Sequence, residues 1–135
     1  MTHVVTWDGG RRFVSATPDG RTAAFDVPVE KGGTGTAPSP MEMLLHAHAA
    51  CSAVDVVAIL EKMRVPAESL RVEIDADRAD DHPKVFTKIR MRFVVTGDVP
   101  EKKLARAVKL SAQTFCSVGA MLGETAEIEH ELVIE

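Results

Sequence analysis

No run of basic residues interrupts this chain, whose formal net charge is -4. Neutralising a polynucleotide backbone takes clustered Lys and Arg, so nucleic acid is not an expected partner. The opening residues, Met1-Thr2-His3-Val4, lack the basic-then-apolar order of a secretory leader, and none is expected. Cysteine is scarce, with only Cys51 and Cys116. Two thiols are too few for a thiolate-rich metal site, and the five histidines show no metal-ligand spacing around them. No metal or organic cofactor is therefore expected. A CxxC pair is also missing, and with it the strongest sequence signal for redox-active thiols. The glycine-rich segment from Lys31 to Ala37 lacks the terminal Lys-Ser/Thr of a phosphate-binding loop and reads as a flexible connection. Finally, the apolar stretch from Met43 to Leu60 is broken by His46, His48, Ser52 and Asp55, so no membrane span is expected. A cytoplasmic protein with its cysteines kept for redox chemistry or burial is the expectation, not a disulfide scaffold.

What is present describes one domain over 1–135, of α+β type. Asp8-Gly9-Gly10 and Pro18-Asp19-Gly20 mark tight reversals between short strands at 3–7, 11–16 and 21–27, a three-stranded meander. Ser39-Pro40-Met41-Glu42 starts a long helix: Ser39 caps, Pro40 fits the first helical position, and Glu42 stands where a capping box places its carboxylate. That helix runs to about Met63, before Pro66. It is apolar on nearly every side, which calls for enclosure on nearly every side, including by a second subunit. Leu70, Val72, Ile74 and Ala76 alternate with charged residues, as do Ile89, Met91 and Phe93, predicting two long strands with one packed and one wet face. A second helix starts at a capping box over Asp98–Glu101. Cys116 opens a short helix ended by Gly123. The last strand, 126–134, carries Glu127, Glu129 and Glu131 on one face, opposite in sign to Lys88, Arg90 and Arg92, which favours it as a neighbour.

The thiols admit two readings. A lone cysteine among alanines packs well as a small core residue. Alternatively, the two form a nucleophile and a resolving partner, one attacking an electrophilic oxygen and the other condensing with the resulting sulfenic acid. Cys116 beside a helix start is placed where free amides favour thiolate. On the long helix His48 lies one turn before Cys51 and Asp55 one turn after, a His-Cys-Asp line able to activate a thiol or merely to form a buried polar set. Arg11 and Arg12, read in the second strand, face opposite ways; whichever faces inward can lower a thiol pKa. Alternation places His130 on the apolar side, as a satisfied core histidine.

Three segments, Ala37-Pro38-Ser39-Pro40-Met41-Glu42-Met43, Ala49-Ala50-Cys51-Ser52-Ala53-Val54-Asp55-Val56-Val57 and Phe115-Cys116-Ser117-Val118, resemble in order and spacing the OsmC/Ohr family, in its OsmC-like branch. The resemblance covers essentially the whole chain. It implies an intertwined homodimer in which long central helices are wrapped by antiparallel sheets. It also implies reduction of organic or inorganic hydroperoxides, with Cys51 peroxidatic, Cys116 resolving, and a dithiol or lipoylated protein as reductant. Arg12 (or Arg11) and Glu42 would orient the peroxidatic thiol. The family glutamate falls ten positions before the first cysteine, which here is Met41; Glu42 is one step on, about 100° around the helix. The proline that commonly follows the second cysteine is Ser117. Two alternatives stand beside the peroxidase: a small-molecule-binding or stress-response protein on the same scaffold, and a different thiol enzyme served by His48 and Asp55.

Overall fold

The computed structural model describes residues 1–135, which form two compact units, Met1–Leu44 and Leu45–Glu135. The first contains the meander: β1 (Val4–Trp7), β2 (Phe13–Ala16) and β3 (Thr22–Phe25), antiparallel in that order. Trp7 pairs with Phe13 and Phe13 with Phe25. Arg11 and Arg12 are not in β2, as the sequence reading had them. They belong to the turn that Asp8-Gly9-Gly10 begins: Gly9 and Gly10 take positive φ, and the Asp8 amide donates to the Arg12 carbonyl. The reversal is two residues longer than its glycine signal suggested.

The glycine-rich segment is also more ordered than expected. Asp26 is buried and holds it: its carboxylate accepts from the amides of Val27, Thr34 and Thr36 and from the hydroxyls of Thr34 and Thr36. Gly33 lies so close to this loop that an added Cβ would stand 2.0 Å from the Val27 carbonyl oxygen.

Helix α1 (Pro40–Lys62) begins in the first unit with the expected reciprocal cap. The Glu42 amide donates to Ser39 Oγ, and the Ser39 amide donates to Glu42 Oε1. The far end closes as a Schellman turn, with Val65 N–H on the Leu60 carbonyl, Arg64 N–H on that of Glu61, and Arg64 itself at φ 63°. By length and composition alone α1 could cross a membrane, with a mean hydropathy of 1.7 over its most apolar window. Its buried residues, His48, Ser52, Val56 and Leu60, instead form one stripe at helical spacing. Val54 is 69% exposed and Val57 41%, so a single chain does not enclose this helix on all sides.

The core lies in the second unit. β4 (Ser69–Arg78), β5 (Phe86–Thr96) and β6 (Glu127–Ile134) form one sheet in that order. Central β5 buries Ile89, Met91, Phe93 and Val95 on the face that alternation predicted; Val94, expected on the opposite face, is buried as well, as is Phe86 beyond an irregularity in the pairing with β4. Full burial of each such side chain contributes roughly 1.5–3 kcal/mol. β4 and β5 are antiparallel, but β5 and β6 run parallel, so this sheet is mixed, unlike the purely antiparallel one expected. The expected pairing of charged rows does form. Arg92 bridges Glu73 and Glu131, Lys88 meets Glu129, and Arg90 reaches back to Asp75 and Asp77. Such exposed pairs contribute little individually and serve chiefly to fix register.

Helix α2 (Glu101–Leu110) starts two residues later than the proposed capping box requires. Pro100 is its N-cap, without a side-chain cap, because a residue before proline is kept out of the helical region and Asp98 and Val99 stay outside. A wider π-type turn, Ser111–Phe115, leads to Cys116, which caps α3 (Ser117–Leu122), with Gly123 at its end as expected.

Candidate active site

Folding brings the two cysteines together. Both are reduced; Cys51 is half-buried and Cys116 buried. Cys116 Sγ accepts two hydrogen bonds, from Ser52 Oγ at 3.6 Å and from the Gly119 amide at 3.3 Å. The second is the cap of α3, where free amides face the N-cap side chain. Burial nevertheless pushes the Cys116 thiol above its ordinary pKa. The two donors oppose that rise, and the neighbouring Cys51 thiol adds to it. At neutral pH Cys116 is therefore a protonated thiol.

On α1, the residues that face Cys116 are His48 and Ser52, four apart on one side of the helix. His48 is 2% exposed, and its Nδ1 has no hydrogen-bond partner. Burial, with a smaller repulsion from His130, lowers its pKa and keeps the imidazole neutral. Gly119 faces it: a Cβ there would lie 3.0 Å from His48 Nε2 and 3.2 Å from Cys116 Sγ. Glycine thus leaves open a gap shared by ring and sulfur. The gap belongs to a cavity of about 360 Å³ that continues past Ala120, Glu124, Ile128 and His130.

This arrangement revises the expected His-Cys-Asp line. Asp55 does not serve Cys51; its carboxylate accepts from Ser111 Oγ at 2.8 Å, and Ser111 is buried beside it. His48 shares its cavity with Cys116. Cys51 lies one residue off the buried stripe, turned about 100° from Ser52. Nor is His130 a core histidine. It is exposed in the single chain, at the cavity wall, near the Phe93 ring with centroids 6.0 Å apart, and the surrounding protein lowers its pKa.

The other expected site residues lie in the first unit. Arg12, half-buried, donates from Nη1 to Asp8 at 2.6 Å and from Nε to Thr36 Oγ1 at 3.2 Å. Thr36 Oγ1 in turn donates to Asp26 at 3.0 Å, so the guanidinium ends a chain anchored on a buried carboxylate. Those hydrogen bonds, the Thr34 hydroxyl first among them, hold the Asp26 carboxyl far below the usual range. Exposed Arg11 donates to the Gly10 carbonyl and lies beside Gly32. Glu42 is engaged by the cap of α1. Sequence reasoning missed Asp26 and Gly119 as neighbours of the expected site residues; an acidic residue closing an apolar strand just before a Gly/Thr-rich loop was the available signal for the first. No cluster of three or more His, Cys, Asp or Glu is arranged to hold a metal ion.

Residues 33–131 match the family model described as OsmC-like protein. The chain belongs to the OsmC-like family. It is 41% identical over 128 residues to YhfA of Escherichia coli K12, covering 93% of this chain and 92% of that protein. A hypothetical protein from Aquifex aeolicus shares the fold with a TM-score of 0.86 and 30% identity, over 99% of this chain and 95% of that one. An organic hydroperoxide resistance protein OsmC from Legionella pneumophila superposes with a TM-score of 0.74 over 98% of this chain and 97% of its own; at 18% identity that likeness speaks for the fold. The OsmC-like expectation for the fold therefore holds.

Proposed function

We propose that this protein is a cytoplasmic homodimeric hydroperoxide reductase working through Cys51 and Cys116. The observation that carries the reading is the meeting of the chain's only two thiols, one half-buried and one held by two donors beside a cavity. Cys51 thiolate attacks the peroxide oxygen, the O–O bond breaks, alcohol or water leaves, and Cys51 becomes a sulfenic acid. Cys116 condenses with it, releasing water and forming a disulfide, which a dithiol or lipoylated protein reduces. Arg12 and Glu42 take the orienting roles that family membership suggests, and a hydroperoxide-resistance protein of the same fold supports the substrate class. Dimerisation is supported by the exposed apolar side of α1, where Ala50, Ala53, Val54, Val57, Pro66 and Leu70 line a groove of about 540 Å³.

The test is consumption of cumene hydroperoxide and of hydrogen peroxide by reduced native, Cys51→Ser and Cys116→Ser proteins with a dithiol present. Native protein turns over; Cys51→Ser does not; Cys116→Ser stops at a sulfenic acid seen as a mass increase after dimedone trapping. Absence of native turnover with both oxidants overturns the proposal. A second reading, a binding or stress-response protein that keeps the scaffold, is favoured by the Arg12 guanidinium being bonded to Asp8 and Thr36. It expects saturable ligand binding without peroxide loss.

A further inference from the structure

A buried imidazole without a partner is the least explained group in the molecule. Leaving a polar nitrogen unsatisfied in a protein interior costs about 1–3 kcal/mol, and Nδ1 of His48 is so left, with the ring 2% exposed. The proposed thiol exchange leaves His48 without a part. Yet its Nε2 looks across the Gly119 gap towards Cys116 Sγ, and the two atoms border one opening because position 119 carries no side chain. The other groups facing it are Ser52, which donates to the same sulfur, and His130 and Glu124 farther along the cavity. On its own helix, Asp55 is taken up by Ser111.

We infer that His48 is the proton acceptor for Cys116 when that thiol closes the disulfide. The inference deepens the proposed cycle and rests on it for the identity of the oxidant. In the closing step the Cys116 S–H proton passes to His48 Nε2, directly or through one water, as the sulfur attacks the Cys51 sulfur. The S–S bond forms and the S–O bond of the sulfenic acid breaks. The departing hydroxide takes the proton from the imidazolium and leaves as water, so atoms and charge balance.

The electrostatics fit both halves of this transfer. Cys116 is raised by burial, so at neutral pH it holds a proton that must be removed. His48 is lowered by burial, so at the same pH it is neutral and able to accept. An imidazolium with a buried Nδ1–H lacking any acceptor is a poor resting state, and the ring returns its proton readily.

Closure can be measured without a peroxide. Dithiodipyridine reacts with the Cys51 thiolate to give a mixed disulfide and one pyridinethione. Cys116 then attacks the Cys51 sulfur and expels a second pyridinethione, which carries off the proton. The two releases appear as successive absorbance phases, and intact mass confirms the intramolecular disulfide. In native protein the second phase is expected to be flat with pH between the lowered imidazole pKa and the raised thiol pKa. In His48→Gln the second release is expected to slow on the order of 100-fold at pH 7. It should then regain about tenfold per pH unit as the thiol ionises unaided, a recovery that a purely structural role would not produce. A native second phase that itself climbs tenfold per pH unit overturns the inference whether or not the variant folds, as does an unchanged rate in folded His48→Gln. Should native protein fail to consume peroxide yet show the flat second phase, the peroxidase reading falls and the role of His48 stands.

Discussion

Asp26 in the first unit and His48 in the second are both almost completely buried, and the fold treats them in opposite fashion. Asp26, in the first, accepts from three amides and two hydroxyls, and its pKa is driven down. His48, in the second, keeps an orphan nitrogen, and burial makes its charged form costly. The first is a satisfied anchor that orders a glycine-rich loop. The second is unsatisfied, faces a cavity, and shares that cavity with the Cys116 sulfur. A buried group with all its partners is there for structure; one without them is a candidate for chemistry.

That contrast breaks or sharpens with opposed substitutions. The largest effect is expected from Asp26→Ala, which strands the donors of Val27, Thr34 and Thr36 and should lower the denaturation midpoint more than any other change named here. Because the Asp26 pKa is depressed, its stabilisation is present above the ordinary carboxylate range and disappears as pH falls through about 4 and below. Acid titration of native and Asp26→Asn proteins, followed by circular dichroism, would show the difference. Gly33→Ala attacks the same loop by steric overlap and should cost about 1–3 kcal/mol in urea unfolding.

His48→Leu should do the reverse. Removing an unpaired nitrogen from the interior is expected to stabilise by about 1 kcal/mol, with disulfide closure slowed at pH 7 as in His48→Gln. Both His48 and His130 have lowered pKa values. Their contribution to stability is therefore complete above about pH 6.5 and declines as pH falls below it. Urea midpoints at pH 5 and pH 7.5 should differ less in His48→Leu than in native protein. An equal pH response in both would place the acid sensitivity elsewhere.

Smaller effects test the ends of α1. Ser39→Ala removes half of the reciprocal cap and should cost about 1 kcal/mol. Arg64→Gly places the residue that tolerates positive φ at the Schellman position and should gain about 0.5–1 kcal/mol. Thermal melts resolve both signs.

The sequence made some of these features legible because a local rule sufficed. Ser39 and Glu42 formed the cap that their spacing described, and the alternation around Ile89, Met91 and Phe93 chose the buried face of β5. Opposite charges also found β6 its neighbour. They could not set its direction, since alternating Glu residues face a basic row equally well in either orientation; the parallel register is fixed by the chain's path through α2 and α3. At the thiols, a helical wheel links His48 to Cys51 and to Ser52 alike. Burial decided between them, joining His48, Ser52, Val56 and Leu60. Asp26 escaped notice because its partners are mostly backbone amides of a loop, groups that every residue possesses and no motif displays.

Cys116 has a double occupation with a thermodynamic consequence. Its sulfur is the acceptor that starts α3 and, in the proposed cycle, also the exchanging atom. A disulfide sulfur is a weaker acceptor than a thiol sulfur, so entering the proposed disulfide would slacken the first turn of that helix. Each re-reduction in that cycle would then be assisted by the helix regaining its end, with a segment of six residues acting as a small spring set against oxidation.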